Sequence, residues 1–234
     1  MIHFFHDFIQ SFPLFVNGAR ITIEVTALSL LLAMIIGSVF ALFALSRFKV
    51  LIWLNVLYVW LIRGTPLILQ IVFLYYAMDQ SFHINLNAFT AGAFALAFHN
   101  GAYLSEILRG SVQSIDKGQH EAASAIGMNK YMAMRRIIAP QAIKNAIPPT
   151  INQFIIGLKD SALVAYIGVS ELYNVALGEY SRTYAPTEWF LIAGIYYLIL
   201  TLLFTLLGKW AERRLDVTRK TTTSFHIVSE EGVA

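Results

Sequence analysis

A few side chains able to bind or transfer charge stand within long, nearly charge-free stretches of this sequence: Arg63, Thr65, Gln70, His99, Asn100, Glu106, Asn152, Gln153, Lys159 and Asp160. An ionisable group inside an apolar segment is costly, so each is a candidate functional residue. Lys159 can pair with a carboxylate and Asp160 with an ammonium. Asn152 and Gln153 can donate and accept hydrogen bonds. Together these four suit a zwitterion. The competing reading has Lys159 and Asp160 neutralising each other or partnering Glu106. Glu106 has Arg109 three residues on, a neighbour on a helix, and is read as a structural anchor. His99 reads as a satisfied interior histidine. Arg63 either attracts an anionic group or satisfies carbonyls freed by a helix break at Pro66, and the second, structural role is preferred. Thr65 and Gln70 read as ligand-facing groups beside that break.

Covalent chemistry finds little support. The chain has no cysteine, which excludes a disulfide framework or a cysteine-based metal or redox site. It has no GxxxxGK[ST] loop to cradle phosphates. His120-Glu121 begins an HExxH-like string, but position 124 is serine. No nucleophile–base arrangement is evident in the water-facing segments, and no bound cofactor or metal is expected.

The elements that position these residues are long and apolar. Of 234 residues, 57% are hydrophobic and 13% charged, about half the charged fraction of a soluble domain. Several runs reach about 20 residues, enough at ~1.5 Å each to cross a ~30 Å hydrocarbon core. The expectation is an all-α polytopic membrane protein, one transmembrane domain of five spans at about 21–46, 50–78, 88–108, 147–170 and 189–208. A short interfacial helix bearing Phe5, Phe8, Ile9 and Phe12 should precede them and end near Pro13. No basic segment precedes the first apolar run, so no cleavable signal is expected. The second span is too long for one straight crossing and is interrupted at Arg63-Gly64-Thr65-Pro66, where proline should kink or break it. The fourth span should open on Pro148-Pro149, since proline suits a first helical turn. Residues 221–234 form a polar tail expected to be disordered. Thirteen of the 17 Lys and Arg fall beside the first loop, in the 109–144 region or after the last span. The positive-inside bias then places the N-terminus outside and the C-terminus inside.

Between spans 3 and 4 lies a polar island, 117–140, on the cytoplasmic side in this topology. Gly127 offers a C-terminal cap to a first short helix. Asn129 caps a second, which Pro140 should stop. Ala122, Ala123 and Gly127 make a shallow surface that a partner's cleft can approach. The spacing of Ala123 and Gly127 also suits a helix-turn-helix. The hydrophobe that motif needs six residues on is only Ala133, and the site between spans is poorly placed for DNA, so no nucleic acid is expected.

The order Glu121-Ala122-Ala123, three residues, Gly127, nine residues, Ile137, then Pro140 resembles the EAA signature of the permease subunits of ABC importers, with Ala139 where leucine is usual. Arg63-Gly64-Thr65-Pro66-Leu67 and Lys159-Asp160-Ser161-Ala162-Leu163 resemble that family's polar amino-acid branch. The resemblance spans nearly the whole chain. It implies a multi-pass subunit of the cytoplasmic membrane that carries amino acids and is not itself an enzyme. Glu121, Ala122, Ala123 and Gly127 would dock on a separate ATPase subunit, present in two copies, which binds ATP and magnesium. A second permease subunit, the same chain or a sibling, and an extracytoplasmic amino-acid-binding protein complete the assembly. The alternative is an ion-coupled secondary transporter or channel relaying charge through Glu106, Lys159 and Asp160. A membrane scaffold without transport is weaker still.

Overall fold

The computed structural model describes residues 2–215, which are entirely helical apart from turns and short connections. The tail at 221–234, with Arg219 and Lys220 before it, lies outside the described residues. Helix α1 (Ile2–Gln10) leads into α2 (Phe12–Ala44). Pro13 sits in the first turn of α2. The expected stop is therefore a start: proline's missing N–H is one the first turn leaves unpaired anyway. The helix that carries the first expected span consequently begins nine residues before it. Glu24 faces out on α2 and is held by Arg20 one turn before it, at 2.7 Å.

The second span is broken, as the RGTP string predicts. Helix α3 (Lys49–Arg63) ends at Gly64. Then α4 (Leu67–Val72), a π-helical turn (Phe73–Ala77) and α5 (Met78–Phe82) run on as one rod bent by 102° from α3. Helix α6 (Ala88–Gln113) is capped by Asn87, whose Oδ1 accepts from the Thr90 N–H at 2.8 Å. Two short helices follow, α7 (Lys117–Ala125) and α8 (Lys130–Ala133). A π-turn (Met134–Ile138) then feeds α9 (Ala139–Asp160). A 3-10 helix (Ser161–Ile167), α10 (Leu172–Thr183) and α11 (Pro186–Arg214) complete the described chain.

Two proline expectations fail here. Pro140 does not stop a helix; it lies in the first turn of α9. The π-turn just ahead of it gives room to a ring that would otherwise press on the carbonyl four residues back. Pro148 and Pro149 do not open a helix but lie inside α9. The chain is thus helical without interruption from Lys130 to Ile167.

Helices α2 and α11 are each long and apolar enough to cross a membrane, and the bent α3–α5 pair adds a third candidate. Their outward faces carry Leu31, Ile35, Leu42, Leu198 and Leu202, all exposed. An apolar surface of that extent needs lipid rather than water. Helix α6 is the centre of the packing. Its buried face is built of small residues, Ala91, Gly92, Ala93, Ala95, Ala97, Gly101 and Ala102. They let α2 come close: a Cβ on Gly37 would lie 2.7 Å from the Leu104 Cβ and 3.0 Å from the Gly101 carbonyl. Such small-residue faces are how helices pack tightly in lipid, where water supplies no hydrophobic drive between them.

At the other end of the bundle Phe15, Leu172, Trp189, Ile192 and Tyr196 form a second core joining α2, α10 and α11. Glu171 is fully buried there. Its Oε1 caps α10 by accepting the Asn174 N–H at 2.8 Å, and its Oε2 accepts the Tyr197 hydroxyl. The next residue, Leu172, donates its N–H to Thr22 of α2 at 3.2 Å. Burial pushes the Glu171 carboxyl up to about 7, against the pull of those hydrogen bonds. Because the folded value lies above the ordinary 4.5, this group's contribution to stability is complete below about pH 4.5. It is lost as pH rises toward about 7. The thermal midpoint of the solubilised protein should therefore fall across that window, and Glu171→Gln should flatten the fall. Parallel pH profiles for the two proteins would show the carboxyl to be ordinary.

Candidate functional site

The break in the second span sets free the carbonyls of Leu61 and Ile62, whose helical partners would be Thr65 and Pro66. Thr65 Oγ1 donates to the Leu61 carbonyl at 2.9 Å. The Gln70 amide reaches back across the bend. Its two N–H groups are shared among the Ile62 carbonyl at 2.8 Å, Thr65 Oγ1 at 2.8 Å and the Thr65 carbonyl at 3.1 Å. Gln70 Oε1 in turn faces His99 Nδ1 on α6 at 3.3 Å, so His99 is a satisfied interior histidine. The carbonyl-satisfying role expected of Arg63 is therefore filled by Gln70 and Thr65. Gln70, expected to face a ligand, is turned into the backbone. What the sequence reading missed is the spacing: a glutamine eight residues after a carbonyl meets it only because the chain folds back.

Arg63 is exposed and lies with its guanidinium carbon 4.9 Å above the centre of the Tyr103 ring. It lines a cleft of about 790 Å³ between α3 and α6, shared with Asn55, Trp60, Tyr103, Glu106 and Arg109. Glu106 is engaged as expected by Arg109, which donates to its two oxygens at 3.0 and 2.7 Å. Asn55 is buried and accepts from the Ser105 hydroxyl at 2.8 Å.

The polar residues of α9 divide. Gln153, expected to line a path, is buried and donates to Asn100 Oδ1 at 2.9 Å, while Asn100 donates to the Leu96 carbonyl at 2.9 Å. It clamps α9 to α6 rather than offering itself to a ligand. Asn152 and Lys159 are exposed, and Asp160 is half-buried beside Lys159. Neither Lys159 nor Asp160 shares Glu106, which Arg109 occupies. The segments carrying the two motif strings do meet. Val164 and Ile167, just past Lys159-Asp160-Ser161, pack with Leu67 and Ile71, just past the break, in one buried cluster with α6.

The polar island folds as a water-facing hairpin. Asp116 caps α7 by accepting the Gly118 N–H at 2.7 Å. Gly127 ends it at φ +79°, a left-handed backbone that a side chain would strain. Asn129 Oδ1 then accepts the Met132 N–H at 2.8 Å to start α8. Glu121, Ala122 and Gly127 are exposed. Ala123 is not: it is 1% exposed and packs inside the hairpin, which corrects its place on the docking surface. Ile126 and Tyr131, 75% and 73% exposed, stand out instead. Nothing in their spacing singled them out. Being large and apolar in an otherwise polar island was the available signal.

The chain is an all-helical bundle with a broken helix packed against α6 and candidate membrane spans on its outside. Residues 33–217 match the family described as binding-protein-dependent transport system inner membrane component, and the chain belongs to this family. It is 36% identical over 207 residues to the arginine transport system permease protein ArtQ of Bacillus subtilis (strain 168), covering 88% of this chain and 94% of that one. It is 33% identical over 212 residues to the glutamine transport system permease protein GlnP of Escherichia coli (strain K12), covering 88% and 94%. Among solved structures, an amino acid ABC transporter crystallised with histidines superposes with a TM-score of 0.83 at 40% identity, covering 88% of this chain and 96% of that one. The MetNI methionine transporter in an inward-facing form shares the fold, with a TM-score of 0.70 at 18% identity, covering 88% and 98%. Membership in this family displaces the ion-coupled transporter and the channel as readings.

The capping role of Gln70 is open to direct measurement. Gln70→Leu should leave the Ile62 carbonyl without its side-chain donor and cost about 1–3 kcal/mol, seen as a lower thermal midpoint in detergent. A midpoint equal to wild type would mean that the break is stabilised elsewhere.

Proposed function

We propose that the chain is the translocation subunit of an ATP-driven importer of amino acids in the cytoplasmic membrane. Five crossings are proposed: α2, the broken α3–α5 pair, α6, α9 and α11, as one transmembrane domain. The charge asymmetry supports an outer N-terminus and an inner C-terminus. The relatives named for arginine and glutamine support the cargo class. The partners are two ATPase subunits, which bind the ATP and magnesium that this chain does not, a second permease subunit, and an extracytoplasmic amino-acid-binding protein.

The observation that carries the mechanism is the continuity of the chain from the hairpin to Lys159 and Asp160. Helix α8, the π-turn and α9 make one rod of ~45 Å at ~1.5 Å per residue, and Lys159 and Asp160 lie at its far end. The docking surface comprises Glu121, Ala122 and Gly127, extended by Ile126 and Tyr131. A partner that moves the hairpin from Lys130 onward therefore moves the carboxylate–ammonium pair through a chain that stays helical. Asn152, Lys159, Asp160 and the elbow at Thr65 are the proposed path residues. Gln70, Gln153, Gly64, Pro66, Glu106 and Pro140 hold the scaffold. The subunit performs no chemistry of its own.

Reconstitution of the chain with its ATPase and binding protein in proteoliposomes should give ATP-dependent uptake of at least one of the twenty L-amino acids. Uptake of none of them would overturn the cargo class. Ile126→Asp and Gly127→Trp should reduce co-purification of the ATPase subunit and uptake at least tenfold while leaving membrane insertion intact. Wild-type uptake by both would remove the docking surface from this hairpin.

A further inference from the structure

We infer that Arg63 is a carboxylate-binding residue of the transport path, seated in the cleft between α3 and α6. The inference deepens the reading of the chain as an amino-acid permease and rests on it. The Ile62 and Leu61 carbonyls are already taken by Gln70 and Thr65, so Arg63 is not needed for them. The ion pairs among the described residues leave it out as well. Arginine keeps its charge in any protein setting. Fourteen residues along α3 from Lys49, Arg63 stands ~21 Å up the helix at ~1.5 Å per residue, well within a ~30 Å hydrocarbon core. An exposed, permanent cation at that depth needs an anionic or aqueous counterpart.

The cleft has the chemistry to recognise one. Glu106 has both oxygens on Arg109 and also feels the charge of Arg63, so two cations share one carboxylate and the cleft keeps one net positive charge. Tyr103 supports the guanidinium from one face, which leaves the planar edge free. Two parallel N–H groups on that edge match the two oxygens of a carboxylate. The volume of about 790 Å³ is within the range of small-molecule sites. The ligand class is therefore a free carboxylate, the group that all amino-acid cargoes share. The indole of Trp60 on the same wall would meet the rest of the molecule.

The test uses the complete transporter in proteoliposomes, with each of the twenty radiolabelled L-amino acids offered at saturating binding protein. If wild type moves none, the amino-acid reading falls and this inference falls with it. If wild type is active, Arg63→Gln should lower uptake of the transported amino acid at least tenfold, and Arg63→Lys, which keeps the charge but not the planar fork, should recover only part of that loss. Both should co-purify with the ATPase subunit. Uptake by Arg63→Gln within twofold of wild type overturns the inference and leaves the amino-acid reading standing. Loss of ATPase co-purification in Arg63→Gln, with a normal complex and normal uptake in Arg63→Lys, would make Arg63 a subunit contact and also overturns it. Tyr103→Leu, which removes the support and keeps the charge, should lower uptake at least threefold. No change there counts against the cleft.

Discussion

A backbone break inside a membrane protein has to be satisfied from within, because hydrocarbon offers no hydrogen bonds. Here that constraint is met mainly by one side chain. Gln70 folds back over the 102° bend and donates to the Ile62 carbonyl and to Thr65, while His99 on α6 holds its other end. Much of the membrane interior follows from this. The bend aims α4 at the 3-10 helix, where Leu67 and Ile71 meet Val164 and Ile167. It also leaves Arg63 at the end of α3, over the Tyr103 ring and lining a cleft.

Around the break, packing relies on close approach and on buried polar clamps more than on bulky side chains. The small-residue face of α6 admits α2 to near van der Waals contact at Gly37 and Gly101. Asn100 and Gln153 tie α6 to α9, while Glu171 with Tyr197 ties α10 to α11 and the Leu172 N–H with Thr22 ties it to α2. Each clamp joins helices far apart in sequence. In lipid such polar contacts specify which helices meet, a task that apolar surface alone performs poorly because the tails compete equally well.

The hairpin and the path are mechanically continuous in a way that proline usually forbids. Pro140, Pro148 and Pro149 all lie within a chain that stays helical, and a π-turn precedes the first of them. A helix with missing N–H groups and an enlarged turn is softer locally but still transmits displacement along its axis. That property suits a subunit of a binding-protein-dependent transport system, whose proposed input at Ile126 and Gly127 is distant from the proposed path at Lys159 and Asp160.

Much was legible in the residues alone. Apolar run length and charge asymmetry indicated a helical membrane protein. The RGTP string marked the break, Gly127 and Asn129 marked the turns of the hairpin, and the spacing of Glu106 and Arg109 announced their pairing. These are local: they depend on backbone freedom, on missing donors and on helical neighbours three or four residues apart. The folded chain decided the rest. Whether a proline starts, stops or rides within a helix depends on the turn before it. Whether Gln70, Gln153 and Ala123 face a ligand or a neighbouring helix depends on which helices pack. Whether Glu171 is a surface acid or a buried clamp depends on α11 arriving over it. Above all, the release of Arg63 from the backbone required a partner eight residues beyond Ile62 to fold back, a contact that only the bend creates.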